Sequence, residues 1–328
     1  MFAKMCTVDI PGGTTVHDVV RRPAAGALCR GVDWPDRRPE LDLVTVDTAV
    51  DMPTPLLHGR LGLRTVAAGP FCLGATRTVG GRIAHVPCPR QARAVSGRQC
   101  EECAAKDEFR FAHHVHLGGY VPDALARYLA QPHWVYIATF ADATSKVGTA
   151  SGPRKASRLD EQGAVRATYV AYTPDGRTAR VFEDAITERA GIAQTKRRIT
   201  KATALERPAT SEALTAEHRD AVEQATEVLA SQSDDPGVEL HREPWEPPAA
   251  MIGFFADVPI GGWLPYPHNL VGGDHGFHID AVAGSTVLAR IREHDDVRYV
   301  VDLGALAGCR IALGAYASPD TPVQMSLF

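Results

Sequence analysis

The chain has 328 residues, 45% of them hydrophobic and 23% charged, a balance that supports buried cores and excludes a disordered adaptor. Thirty-five lysines and arginines against thirty-nine aspartates and glutamates leave a formal net charge of −4, which argues against indiscriminate coating of nucleic acid but leaves room for a local basic groove. No stretch approaches the roughly 18 apolar residues of a membrane span, and the opening MFAKMCTVDIPGG lacks the apolar run of a secretory signal, so a cytoplasmic protein without a membrane partner is expected.

Residues 1–71 read as a β-rich N-terminal unit, with LDLVTV at Leu41 to Val46 alternating as a half-buried strand does. Residues 72–132 form a cysteine module and a connecting helix over Pro122 to Leu129. Four of the seven cysteines fall here as C-x15-C-x11-C-x2-C: Cys72, Cys88, Cys100 and Cys103. The segment has no helical period, and four thiolates can close a tetrahedron of soft ligands, so a structural zinc is expected, with His85 in reserve. A redox Cys100-x-x-Cys103 pair and unrelated buried thiols are the alternatives. Cys6, Cys29 and Cys309 read as small buried hydrophobes. His113, His114 and His116 read as polar groove residues or as ligands of a second metal.

Residues 133–207 carry the cleanest pattern. WVYIATF, TSKVGTA and ATYVAY read as three strands. A helix over Arg154 to Gln162 separates the second and third, and another follows over Thr178 to Arg189, giving β-β-α-β-α. Lys196, Arg197, Arg198 and Lys201 then form the densest basic patch, read either as a nucleic-acid track or as a solvated face. Residues 208–242 form a helical connector with a helix over Thr215 to Ser231, after which SQSDDPG and the charged block HREPWEPP read as a linker. Residues 243–328 form a β-rich C-terminal unit, with strands expected in IGFFADVPIGGWLPYP, GSTVLARI, VRYVVDL and CRIALGAY. There Asp274, His275, His278 and Asp280 suit an edge strand as well as a metal cluster. The fold class expected is α+β.

Within residues 133–195, Trp134-Val135-Tyr136 stands where a GIY motif would and Lys146-Val147-Gly148 where YIG would. Arg158 and Glu183 follow on the two helices. This stretch resembles the GIY-YIG nuclease fold, and the whole chain, with its cysteine module, resembles an uncharacterised bacterial family grouped with that fold. The resemblance implies divalent-metal-assisted phosphodiester hydrolysis on a nucleic acid or nucleotide. Glu183 would hold magnesium or manganese, Tyr136 would help deprotonate water, and Arg158 would stabilise the phosphate. Lys146 replaces the second tyrosine and is suited to binding an anion as a point charge. Arg154 and Gln162 are candidate substrate contacts. Each residue also has a plain structural account: Tyr136 as a packed ring, Glu183 as a partner of Arg180 or Arg189, Arg158 as part of a surface helix. Two further functions compete with hydrolysis, namely a lysine-assisted, transferase-like enzyme on an anionic small molecule and a non-catalytic scaffold for nucleic acid or a partner.

Overall fold

The computed structural model describes residues 26–57, 59–79, 82–112, 115, 118, 120–231 and 237–320. Strands β1 (Ala27–Asp33), β2 (Glu40–Thr45), β3 (Thr54–Pro55) and β4 (Arg60–Ala67) are followed by the hairpin β5 (Ala75–Val79) and β6 (Arg82–Val86) and by helices α1 (Glu101–Lys106) and α2 (Asp123–Leu129). The middle of the chain runs β7 (His133–Thr139), β8 (Ser145–Ser151), α3 (Lys155–Gln162), β9 (Arg166–Thr173), α4 (Gly176–Ala190), α5 (Arg198–Ala204) and α6 (Ser211–Ala230). The last elements are β10 (Glu239–Trp245), β11 (Leu264–Pro265), β12 (Asp274–Ala283), β13 (Thr286–Arg290), β14 (Tyr299–Asp302) and β15 (Arg310–Leu313). The fold is mixed α+β with several sheets.

The two ends of the chain make one sheet. Its nine strands lie in the order β11-β14-β13-β12-β4-β15-β1-β2-β3, so that β4 sits between two C-terminal strands and β15 beside β1. The N-terminal and C-terminal β segments therefore share one hydrogen-bonded sheet rather than flanking the middle as separate units. Pattern within each strand is local, whereas strand partnership depends on contacts more than 200 residues apart, such as Phe277 opposite Leu61. Two further expectations change. IGFFADVPIGGWLPYP yields only a 3-10 helix at Ala249–Phe254 and the two-residue β11, because the Gly261-Gly262 pair at φ 94° and 91° breaks any extended run. β12 is an interior strand, paired with β13 and β4 on its two sides, not an edge.

The central sheet has four strands, β10-β9-β7-β8, where three were expected; the charged block that reads as a linker supplies the fourth as an edge strand on β9. Its faces follow strand alternation. Val135, Ile137 and Val147 turn toward α4 and α6, meeting Phe182, Ile186, Ala225 and Leu229. Tyr136, Ala138 and Phe140 turn the other way and join Leu159 of α3 and the interior of the nine-stranded sheet in a continuous core.

That shared core is fastened by one polar clamp. Arg37, in a left-handed turn at φ 63°, donates two hydrogen bonds of 2.9 Å from Nε and Nη2 to the carboxylate of Asp160, which is fully buried on α3. The same guanidinium donates to the Glu246 carbonyl at 2.5 Å and lies over the Trp245 ring. Beside it Gly163 and Gly284, both left-handed, approach so closely that a Cβ on Gly284 would stand 3.0 Å from the Gly163 nitrogen.

Removing Arg37 leaves a buried carboxylate without its cation. We expect Arg37→Met to cost about 2–4 kcal/mol in urea unfolding, and Arg37→Met with Asp160→Leu to recover most of that loss. A single-variant loss below about 1 kcal/mol would contradict the clamp.

Candidate functional site

Tyr136 and Gly148 face each other across the β7–β8 pair. A Cβ at position 148 would lie 2.5 Å from the Tyr136 Cζ and hydroxyl, so the glycine is what lets the phenol lie across β8. Two positions earlier on the same face, Lys146 places its Nζ 5.8 Å from the centre of that ring. At Val147 the outer side of β8 meets the segment after α4, where the Val147 N–H donates to the Ala193 carbonyl at 2.9 Å.

Helix α3 ends at Gly163, whose left-handed φ of 66° closes the last turn. Helix α4 starts on Asp175, whose side chain accepts from the Arg177 and Thr178 amides at 2.8 and 2.9 Å. These boundaries bring Arg158 and Gln162 from α3, and Arg180 and Glu183 from α4, to one cavity of about 200 Å³ with Tyr136, Lys146, Gly148, Thr149 and Lys196. Of the residues singled out in sequence, Tyr136, Lys146, Arg158, Gln162 and Glu183 line it. Arg154 does not; it forms an ion pair with Glu161 at 2.5 Å. Arg180 and Thr149 were missed. The signal for Arg180 was its place one turn before Glu183; nothing local marked Thr149.

Charge in the cavity is one-sided. Lys146, Arg158, Arg180 and Lys196 face a single carboxylate, Glu183. Glu183 is only 3% exposed and is ion-paired with Arg180; burial raises its pKa, opposed first by Arg180. Lys196 is held by Asp142 at 2.5 Å, and Arg158 is 3.8 Å from Glu161. Lys146 differs from these. It is 6% exposed, and its Nζ makes no hydrogen bond or ion pair with any described residue. Burial, then the Arg158 charge, lowers its pKa to about 8, with Glu183 opposing. Burial raises the Tyr136 pKa and keeps the phenol protonated at neutral pH.

The carboxylate does not suit a divalent cation. Its oxygen is engaged by a guanidinium, the remaining charged groups of the cavity are cations, and magnesium needs several oxygen ligands. The donors present suit an oxyanion.

The cysteine module presents the opposite chemistry. The ligand atoms of Cys72, Cys88, Cys100 and Cys103 all lie within 4.8 Å of one another, and all four residues are buried. Apart from these thiols, Ala75 is the one buried residue of the module's cluster, too little apolar surface to hold it together. Cys100 stands at the N-terminal boundary of α1, and the Cys103 N–H lowers its pKa to about 7, whereas burial raises those of Cys72 and Cys103. The donor set and its closure fit a metal ion. His85 is not among these ligands; its Nε2 is 2.6 Å from the Leu73 carbonyl.

The other candidates resolve differently. Asp274 pairs with Arg64, and Asp280 with Arg290 and Arg298. His275 is buried between Tyr266 and the Gly272 carbonyl. These partners leave no metal set there, and the four cysteines form the one candidate metal cluster among the described residues. His113, His114, His116 and Cys6 lie outside the described residues. Cys29 and Cys309 are buried, and burial pushes the Cys29 thiol up to about 12. No described helix is long and apolar enough to cross a membrane.

Residues 80–241 match the model of a family described as "Protein of unknown function (DUF2797)", a span that takes in three of the four cysteines and the whole cationic cavity. No curated protein and no solved structure matches the chain.

The unpaired amine has a measurable consequence. A lysine whose pKa falls on folding is protonated more readily in the unfolded chain, so it destabilises the native state below about pH 8 and ceases to do so as pH rises toward 10.5. Lys146→Met should therefore stabilise the protein at pH 7 by on the order of 2–3 kcal/mol, with the gain shrinking toward pH 10. Unfolding midpoints that fall at pH 7 would contradict a buried, unpartnered charge.

Proposed function

We propose that the cavity binds the phosphate of a nucleic acid or nucleotide and cleaves the phosphodiester, in a domain diverged from GIY-YIG nucleases. The observation that carries this reading is the buried Lys146 amine, without a protein partner, beside Arg158 and Tyr136. The β-β-α-β-α order and the positions of Tyr136, Arg158 and Glu183 support the relationship. In this reading Arg158 and Lys196 hold the phosphoryl oxygens.

Lys146 takes over the part that the resemblance gives to Tyr136. As the neutral amine it accepts a proton from the attacking water while the new P–O bond forms and the ester P–O bond breaks. The departing oxygen takes the phenolic proton of Tyr136, which the Lys146 ammonium then restores. Glu183 anchors Arg180 rather than a metal.

The test is cleavage of single- and double-stranded DNA, RNA and cyclic nucleotides by the full chain, with magnesium, with manganese and with chelator. We expect cleavage that persists in chelator, with kcat/KM rising with pH until about pH 8 and levelling off above it, and falling at least about 100-fold in Lys146→Met. An absolute requirement for magnesium that Glu183→Gln removes would restore the metal-assisted mechanism. Intact substrates in every condition, with no measurable phosphate binding, would refute the reading.

We further infer that the four cysteines hold a structural zinc, closed to substrate and separate from the reaction. Protein purified without chelator should contain about one zinc per chain, and Cys100→Ser should lose it and expose the module to proteolysis. Metal-free protein with an intact module would overturn this assignment.

A further inference from the structure

Gln162 stands between two spaces. One is the cationic cavity; the other is a pocket of about 20 Å³ between α3, α5 and the β12–β13 turn, lined by Lys201, Arg198 and Ser285. Lys201 enters from this rear side. Its Nζ donates to the Gln162 main-chain carbonyl at 2.9 Å and to the side-chain Oε1 at 3.2 Å.

A lysine ammonium has three donors and no acceptor, so the carboxamide beside it must present its oxygen. The amide nitrogen then lies at the other end of the group, and Gln162 Nε2 donates to no described residue. Across the cavity, Thr149 lies on the open side of β8. The Val147 amide points outward to Ala193, and residues two apart in a strand direct their amides to the same side, so Thr149 N–H also points away from β7.

We propose that Lys201 is a positioning residue that holds Gln162 as a donor-only arm of the anion site, so that the cavity takes a phosphate group through donors from every wall. This inference rests on the phosphate reading above and adds its selectivity. Lys146 Nζ, the Arg158 guanidinium, Gln162 Nε2 and Thr149 N–H converge on a ligand that must accept from several directions. A tetrahedral oxyanion does so; a planar carboxylate has fewer oxygens to offer.

The arrangement also gives the nine-stranded sheet a part in the site. Arg198 forms an ion pair with Asp302 at the end of β14, anchoring the start of α5. One turn later the same helix delivers Lys201. Burial, then the charges of Lys146, Arg158 and Lys196, lowers the Lys201 pKa to about 7, in keeping with its place directly behind the cavity.

The experiment is calorimetric titration of the zinc-loaded full chain with pyrophosphate and with acetate at pH 6.5, where Lys201 is an ammonium. The wild type should bind pyrophosphate and not acetate. Lys201→Met and Gln162→Leu should each weaken pyrophosphate binding about 5- to 10-fold, and the double variant should be no weaker than the weaker single, because both remove the same donor. Gln162→Glu, which keeps the contact to Lys201, should lose at least 10-fold at pH 6.5 and regain affinity as falling pH protonates the new carboxyl. Wild-type binding with fully additive single losses would overturn the positioning role, because Lys201 would then act through its own charge. Unchanged affinity in both single variants would overturn it equally. Failure of the wild type to bind pyrophosphate would overturn the phosphate reading itself, and this inference with it.

Discussion

Helix α3 has to face three directions at once, and the bond between Arg37 and Asp160 is what permits it. Asp160 is fully buried and accepts two hydrogen bonds from a guanidinium contributed by the opposite end of the fold, so the helix cannot rotate without stranding a carboxylate in the core. With that face fixed, Leu159 enters the core, while Arg158 and Gln162 reach the cavity. Arg37 lies in the turn between β1 and β2 of the nine-stranded sheet and Asp160 on α3 of the central domain, so the same bond ties that turn to the helix. The close approach of Gly163 and Gly284 leaves little room for the joint to slide.

Electrostatics inside the cavity follow from that geometry. Two like charges about 6 Å apart repel by roughly 3 kcal/mol at an effective dielectric constant near 20. Arg158 and Arg180 beside Lys146, with the one lining carboxylate committed to Arg180, therefore raise the energy of the free protein. A structural ion-pair network would neutralise Lys146; here Glu183 opposes its cationic neighbours only in part, and no ion pair is made. An anion in the cavity, as proposed, would relieve that strain, and such stored repulsion is common where binding outranks stability. The cysteine module has the contrary design, with four soft donors facing one another in four buried residues.

Much of this was legible in the sequence, and the remainder failed for identifiable reasons. Alternation in LDLVTV and the compact apolar run WVYIATF marked β2 and β7, and the cysteine spacing marked the cluster, because such patterns and short loops are local. The merging of the chain ends into one sheet was not legible, since nothing in VRYVVDL or CRIALGAY states which strand will pair with it. β10 was read as a linker because its exposed face carries Glu239, Arg242 and Glu243, as an edge strand's should. At the site, Tyr136, Lys146, Arg158, Gln162 and Glu183 were visible through a motif. For Glu183 the pairing with Arg180 was visible only as one alternative, because choosing it depends on how deeply α4 is buried. Arg154 lies one turn from Arg158 but pairs with Glu161 on the solvent side, a distinction that sequence spacing does not make.

Lys146 is a nearly buried lysine whose amine lines the cavity with no hydrogen bond or ion pair to a described residue, and its protonation can be read directly. Side-chain NMR of Lys146, assigned with Lys146→Met, reports its titration in the presence and absence of inorganic phosphate. The account predicts a midpoint near pH 8 in the free protein, well below the ordinary lysine range, and an upward move when phosphate binds beside it. A Lys146 that titrates near 10.5 with or without phosphate would contradict it.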